Sequence, residues 1–239
     1  MTPKKIALLT DSSADLRWDQ ARENNIFFVP LRSLCEDGEY LDGVNITGPD
    51  IYQRLHNGEL PQTSLPRVED FSAKLREIFD LGYDGVIAVM LSSGLSGTYN
   101  LARILAGECA EQGYAMKVFD SVSGALGQGM TVLQLAEDIK NGMGWEELTE
   151  RRAPQLIANT YPFFSVDTLE YLVKGGRIGK VTAMAGTMLQ IKPIITFAPD
   201  GQLQGLNLYN NGFSGGLIAI VLYPTLTAII RHRRPKLRD

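Results

Sequence analysis

Three times in the first 140 residues an apolar run stops at a cluster of serines and gives way to helical spacing, and this rhythm narrows the fold more than any other feature. Lys5–Thr10 (KIALLT) stops at Asp11-Ser12-Ser13, and helical spacing resumes at Leu16. Gly85–Leu91 (GVIAVML) stops at Ser92-Ser93-Gly94-Leu95-Ser96-Gly97, ahead of a helix over Tyr99–Ala110. Ala115–Asp120 (AMKVFD) stops at Ser121–Gly124, ahead of a helix from Ala125 to Ile139. Short apolar runs bounded by turn residues read as buried strands, and strands alternating with helices make a parallel sheet covered on both faces. The expected class is α/β: a mostly parallel, helix-covered sheet in an N-terminal lobe, followed by a smaller α+β lobe.

Other segments fill in this plan. Ile26–Leu31 reads as a strand and Glu36–Gly43 as a turn-rich loop or small hairpin. Thr47 is placed to cap a helix over Pro49–His56, and Phe71, Leu75, Ile78 and Phe79 line one face of a helix over Val68–Leu81. Between these helices, Pro61–Pro66 (PQTSLP) reads as a breaker. Trp145–Ile157 is expected to be helical, and the helix ahead of the run Tyr161–Val166 to close the first lobe. Beyond it come a short helix over Thr168–Val173, a glycine turn at Lys174–Arg177, a helix around Thr182–Leu189, and a hairpin of Pro193–Phe197 with Gln202–Leu206. The expected division is 1–160 for the α/β lobe, 161–206 for a partial second lobe and 207–239 for an atypical tail.

That tail stands apart in charge. The whole chain has 23 basic and 27 acidic residues, yet residues 201–230 contain none of either, and the final nine, RHRRPKLRD, hold five basic against one acidic. Phe213–Ile230 is long and apolar enough to read as a marginal membrane span, a buried core segment or a frame-shifted end. A formal net charge of −4 gives no electrostatic footprint for nucleic acid. Hydrophobic content of 44% excludes disorder, and two cysteines, Cys35 and Cys109, cannot build a disulfide framework or a zinc site. The polar start MTPKKIALL lacks a signal peptide's apolar stretch, so the expected location is the cytoplasm.

Open parallel sheets bind ligands outside the carboxyl ends of their strands. Here that edge is rich in hydroxyls: Ser12 and Ser13, Ser92, Ser93 and Ser96, Ser121 and Ser123. In Ser92–Thr98 (SSGLSGT) the glycines allow close approach, and N–H groups at a helix start favour an anion such as a carboxylate or phosphate. The segment is neither a Walker loop nor a dinucleotide fingerprint, and only His56 and His232 exist to serve a catalytic serine. No metal-ligand spacing is present. Arg177 sits at a glycine-flanked turn where its guanidinium can reach an anion, and Lys192 is a second basic candidate. Each serine can equally be an N-cap, and Arg177 a surface arginine.

Asp11–Leu16 (DSSADL), the turn Thr63–Pro66 (TSLP), Ser92–Tyr99 (SSGLSGTY), Asp120-Ser121, Asp167–Ile178 (DTLEYLVKGGRI) and Ile191–Ile194 (IKPI) together resemble the ordered landmarks of the DegV family, from residue 5 to about 204. The resemblance implies a two-lobed bacterial protein that binds one long-chain fatty acid and acts as the non-catalytic acyl-carrier subunit of fatty acid kinase, in phospholipid metabolism. It implies that Thr63 and Ser93 hydrogen-bond the carboxylate, with Ser64 beside Thr63 and with Ser92, Gly94 and Ser96 shaping the loop. It implies a partner-facing or phosphoryl-handling role for Arg177, no cofactor beyond the bound lipid, and membrane contact at most transient, for acyl exchange. Family members continue further, into a region that completes the second lobe and supplies a histidine near the carboxylate; nothing after Leu206 resembles it, and His232 is not taken as its replacement. Two other readings stand beside the carrier: an enzyme acting on a small phosphorylated or carboxylated metabolite through Ser92 or Ser93, and a defective or frame-shifted family member.

Overall fold

The computed structural model describes residues 2–178, 192–198 and 200–209. Its strands are β1 (Ile6–Asp11), β2 (Ile26–Val29), β3 (Arg32–Cys35), β4 (Gly38–Leu41), β5 (Gln62–Ser64), β6 (Gly85–Met90), β7 (Ala115–Asp120), β8 (Phe164–Ser165), β9 (Lys192–Phe197) and β10 (Leu203–Tyr209). Its α-helices are α1 (Trp18–Glu23), α2 (Gly48–His56), α3 (Val68–Asp80), α4 (Thr98–Glu111), α5 (Ala125–Lys140), α6 (Ala153–Ala158) and α7 (Glu170–Lys174).

Two compact units emerge. The first comprises Met1–Pro162 together with Phe197–Leu203; the second comprises Phe163–Thr196 and the chain from Gln204 onward. At the heart of the first is a parallel sheet in the order β2-β1-β6-β7, with Leu8 paired to both Ile26 and Ile87. Every residue of β6 is buried, which is why its sequence is unbroken by polar side chains. Because successive side chains point to opposite faces, its residues serve two cores. Val86, Ala88 and Met90 pack with Ala7, Leu9 and the buried stripes of α3 and α4, namely Phe71, Leu75 and Ile78, and Leu101 and Leu105. Ile87 and Val89 pack with Leu8, Phe28, and Val132 and Leu135 of α5. The parallel, helix-covered sheet read from the sequence is thus the one that forms.

A second sheet, β4-β3-β5, is antiparallel. The turn-rich stretch after Cys35 is its β3–β4 hairpin, and α2 starts at a capping box in which Asp50 accepts from Thr47 N at 2.8 Å. Pro61–Pro66, read from sequence as a breaker, contains strand β5, which sets Thr63 opposite Ser33. The flanking prolines confine it to three residues at the sheet edge. The helix expected over Trp145–Ile157 is also modified: Glu147–Arg152 widens into a π-helical turn before α6, just ahead of Pro154, whose missing N–H cannot bond back to Glu150.

In the second unit β8 pairs antiparallel with β9, Phe164 facing Ile195, and β10 adjoins β9. Only two residues of the run Tyr161–Val166 become strand. Leu169, Ile178 and Ile195 are buried there. The turn between β9 and β10, which the sequence reading leaves in the second lobe, belongs to the first unit. The helix expected around Thr182–Leu189, the residues 210–239 and His232 lie outside the described residues. Among the described residues no helix is long and apolar enough to cross a membrane.

Since Ile87 sits fully buried in the central strand, Ile87→Ala is expected to cost about 2–5 kcal/mol, read as a lower urea midpoint with an unchanged far-ultraviolet circular dichroism spectrum.

Candidate functional site

The carboxyl ends of β1, β6 and β7 share one edge of the parallel sheet, and there side chains take over from the backbone ladder. Asp11, fully buried, accepts from Leu91 N at 2.8 Å and from Ser13 N at 3.1 Å. Gln128, reaching in from α5, donates to Thr10 Oγ1 at 2.9 Å and to Asp11 Oδ1 at 3.3 Å. Thr10 donates in turn to Val89 O at 2.7 Å. Ser13 Oγ touches both Asp11 Oδ1 and, at 2.9 Å, Gln128 Oε1. Burial pushes the Asp11 carboxyl above its ordinary value, outweighing the hydrogen bonds that pull it down. The sequence singled out Asp11 and Ser13 within a landmark; Gln128 was missed, because a glutamine inside a helix carries no signal of its own.

The loop Ser92–Thr98 follows β6. Its N–H groups were expected to be free for an anion, and most are not. Ser93 N donates to both Asp120 oxygens at 3.2 Å, and Gly94 N to Ser92 Oγ at 3.3 Å. Leu95 N and Ser96 N both return to Ser92 O, and Thr98 N donates to Ser96 Oγ. Short loops with serines at these positions satisfy their own backbone. Ser92 is buried, its hydroxyl donating to Gly201 O at 2.5 Å, so it shapes the loop rather than facing a ligand. The approach is close enough that a Cβ on Gly94 would lie 2.4 Å from the Gly201 carbonyl carbon, and Gly201 itself has φ +78°. Only glycine fits at either position.

The remaining hydroxyls sort clearly. Ser12 accepts from Leu31 N, Ser96 bonds Thr98 Oγ1 at 2.8 Å, and Ser121 donates to Ser123 O. Ser123 sits buried, its carbonyl accepting from Ser92 N. Ser93 is exposed, and its hydroxyl bonds nothing among the described residues. Thr63, exposed on β5, is in the same condition. Ser64 is half-buried and held by Arg32 Nη2 at 3.0 Å. The β5 turn meets the loop at Leu65, whose Cδ2 lies 4.0 Å from a Cβ built on Gly97.

Basic and soft groups offer less. Arg177, in the second unit, donates to Gly175 O at 2.6 Å. Among the described residues Cys35, Asp37 and Glu59 could gather around a cation, with ligand atoms within 4.8 Å of one another. Arg54 already supplies the positive charge, 2.8 Å from Asp37 and 2.9 Å from Glu59, and the cluster reads as an ion-pair network. His56 is exposed at the end of α2 and bonds no serine, and burial pushes the Cys109 thiol up to about 11. Neither group forms a nucleophilic pair.

The model of the DegV family, described as an uncharacterised protein family, matches residues 5–209. The chain belongs to the DegV family. A DegV domain-containing protein of Clostridium acetobutylicum is 38% identical over 198 residues, 83% of this chain and 69% of its own length. One from Clostridium perfringens is 39% identical over the same extent. Among solved structures, a fatty-acid-binding DegV family protein from Thermus thermophilus matches with a TM-score of 0.80 at 31% identity, over 93% of this chain and 78% of its own. DegV of Bacillus subtilis, a fatty acid binding protein, matches at 0.77 and 28% identity, over 94% and 78%. A stearic-acid-binding protein from Eubacterium ventriosum matches at 0.79 and 27% identity, over 95% and 78%.

For this DegV-family chain the buried Asp11 makes a measurable prediction. Its folded carboxyl titrates above the unfolded value near 3.8, so the folded state keeps a proton that the unfolded chain has released. The stability tied to neutral Asp11 is complete below that value and is lost as pH rises through the folded one. Asp11→Asn, neutral throughout, should therefore gain on the wild type in urea midpoint between about pH 4 and about pH 8; a constant gap contradicts it.

Proposed function

We propose that this chain binds one long-chain fatty acid, that the hydroxyls of Thr63 and Ser93 hydrogen-bond its carboxylate, and that it presents that carboxylate, as a non-catalytic carrier, to a separate kinase for acyl-phosphate formation. The observation that carries the reading is the sorting of hydroxyls. Along the sheet edge the other serines are built into the fold, while Ser93, like Thr63, stays exposed and unbonded among the described residues. Neutral donors suit a lipid head group, since they replace lost hydration without adding another buried ion. The fatty-acid-binding relatives of the same fold, from Thermus thermophilus and Bacillus subtilis, support the ligand class.

A carrier needs no general base; the carboxylate beside Ser93, Asp120, is engaged by the Ser93 and Val122 amides, and no histidine bonds any serine among the described residues. The competing enzyme reading through Ser92 is disfavoured by the burial of that hydroxyl against Gly201 O. In the proposed role the bound lipid is the only small molecule required, the working compartment is the cytoplasm, and Arg177 serves the kinase-facing or phosphoryl-handling step.

Native mass spectrometry of the purified protein is expected to show retained mass of a fatty acid. Two hydrogen bonds to a charged head group are worth about 1.5–3 kcal/mol each, so Thr63→Val with Ser93→Ala should weaken fatty-acid binding roughly 100-fold or more while circular dichroism stays native. Unchanged lipid content in the double variant would sink the assignment.

A further inference from the structure

Burying a hydroxyl is costly unless a hydrogen bond replaces its lost hydration, and the first unit obeys this with one exception. Every buried polar side chain among its described residues has a hydrogen-bond partner, except that of Ser33 on β3. Ser33 is only 6% exposed, and its hydroxyl bonds nothing among the described residues. No sealed side-chain oxygen or nitrogen lacks a partner among those residues, so Ser33 Oγ reaches solvent from a recessed position. Register says what lies beside it. Directly opposed residues of an antiparallel sheet project from the same face. Ser33 pairs with Tyr40 on β4 and with Thr63 on β5, so the three side chains form one row across the sheet with Ser33 at its centre. Tyr40 is committed elsewhere, donating to Asp37 Oδ2 at 3.0 Å. The two hydroxyls left in the row are those of Ser33 and Thr63, on Cβ atoms about 5 Å apart.

An exposed and a recessed hydroxyl side by side can both donate to one ligand group. Thr63 is the proposed carboxylate donor from this row, and a carboxylate has about four acceptor sites on its two oxygens, more than Thr63 and Ser93 fill. We infer that Ser33 is a third donor of the head-group site: its hydroxyl hydrogen-bonds the carboxylate that Thr63 binds. The cost of keeping this hydroxyl recessed and unbonded is then offset only when the lipid arrives, so the bond strengthens binding and contributes nothing to the empty fold. As a neutral donor, Ser33 sets no charge against the phosphoryl group that the carboxylate is to receive. The inference rests on the fatty-acid reading above and adds to it a residue that fixes the head group from within β3.

The test titrates dodecanoate into delipidated protein by calorimetry. Ser33→Ala, which removes only the hydroxyl, is expected to weaken dodecanoate ~10-fold or more. The urea midpoint of the lipid-free variant should be no lower than that of the wild type, since the hydroxyl bonds nothing in the fold. In the Thr63→Val background Ser33→Ala should still weaken dodecanoate roughly 5-fold or more, because each hydroxyl donates for itself. Unchanged affinity in Ser33→Ala overturns the inference. So does a loss that vanishes in the Thr63→Val background, which would mean that Ser33 acts only through Thr63. Should Ser33→Ala fail to fold, a crystal structure of the wild type with dodecanoate decides: a head-group oxygen within about 3.2 Å of Ser33 Oγ upholds the inference, and an oxygen beyond about 4 Å overturns it. If dodecanoate does not bind the wild type, the fatty-acid reading itself fails and takes this inference with it, an outcome the wild type alone reveals.

Discussion

Where β1 and β6 end side by side, the hydrogen bond from Leu91 N to Asp11 replaces the next rung of the ladder, and much of the edge hangs from it. A parallel sheet buried on both faces leaves unpaired backbone groups where its strands stop, and burying them unpaired is costly. The chain meets that demand with short side chains placed directly after each strand. Asp11 serves the end of β6, Asp120 serves the loop after it, and Ser121 closes the turn after β7. The hydroxyl-rich edge is thus first a set of terminations. In the proposed reading, ligand chemistry falls to the few groups that termination leaves over.

This explains which parts of the site were readable in advance. The alternation of apolar run, serine cluster and helix is a strong periodic signal, and it located β1, β6, β7, α4 and α5 to within a residue or so. β5 escaped because three residues between prolines carry no period, and its partner β3 lies about thirty residues upstream. The free amides inferred for the loop were wrong for a related reason: sequence displays donors, whereas their occupation by Asp120 and by Ser92 depends on contacts that spacing does not encode. Gln128 is the same case, a helix residue whose partners, Thr10 and Asp11 on β1 and Val89 O on β6, lie on two strands.

The family landmarks mix two kinds of residue. Thr63 and Ser93 present hydroxyls outward, while Ser92, Gly94 and Asp120 hold the loop that carries Ser93. Spacing alone cannot separate these kinds, since both occur in one short motif. Burial and hydrogen-bond partners separate them at once.

The bond from Ser92 to Gly201 joins residues 109 positions apart. Contacts so distant in sequence form only after the intervening chain has been made and ordered. On the ribosome, the strands, helices and serines of the first unit through Pro162 emerge well before the turn that braces the loop. The loop is therefore finished late, by a segment that arrives after the Phe163–Thr196 part of the second unit has been synthesised. A nascent or truncated chain ending before residue 201 has its sheet but lacks the Gly201 brace on Ser92, so the finished form of this loop is linked to completion of the polypeptide through the turn.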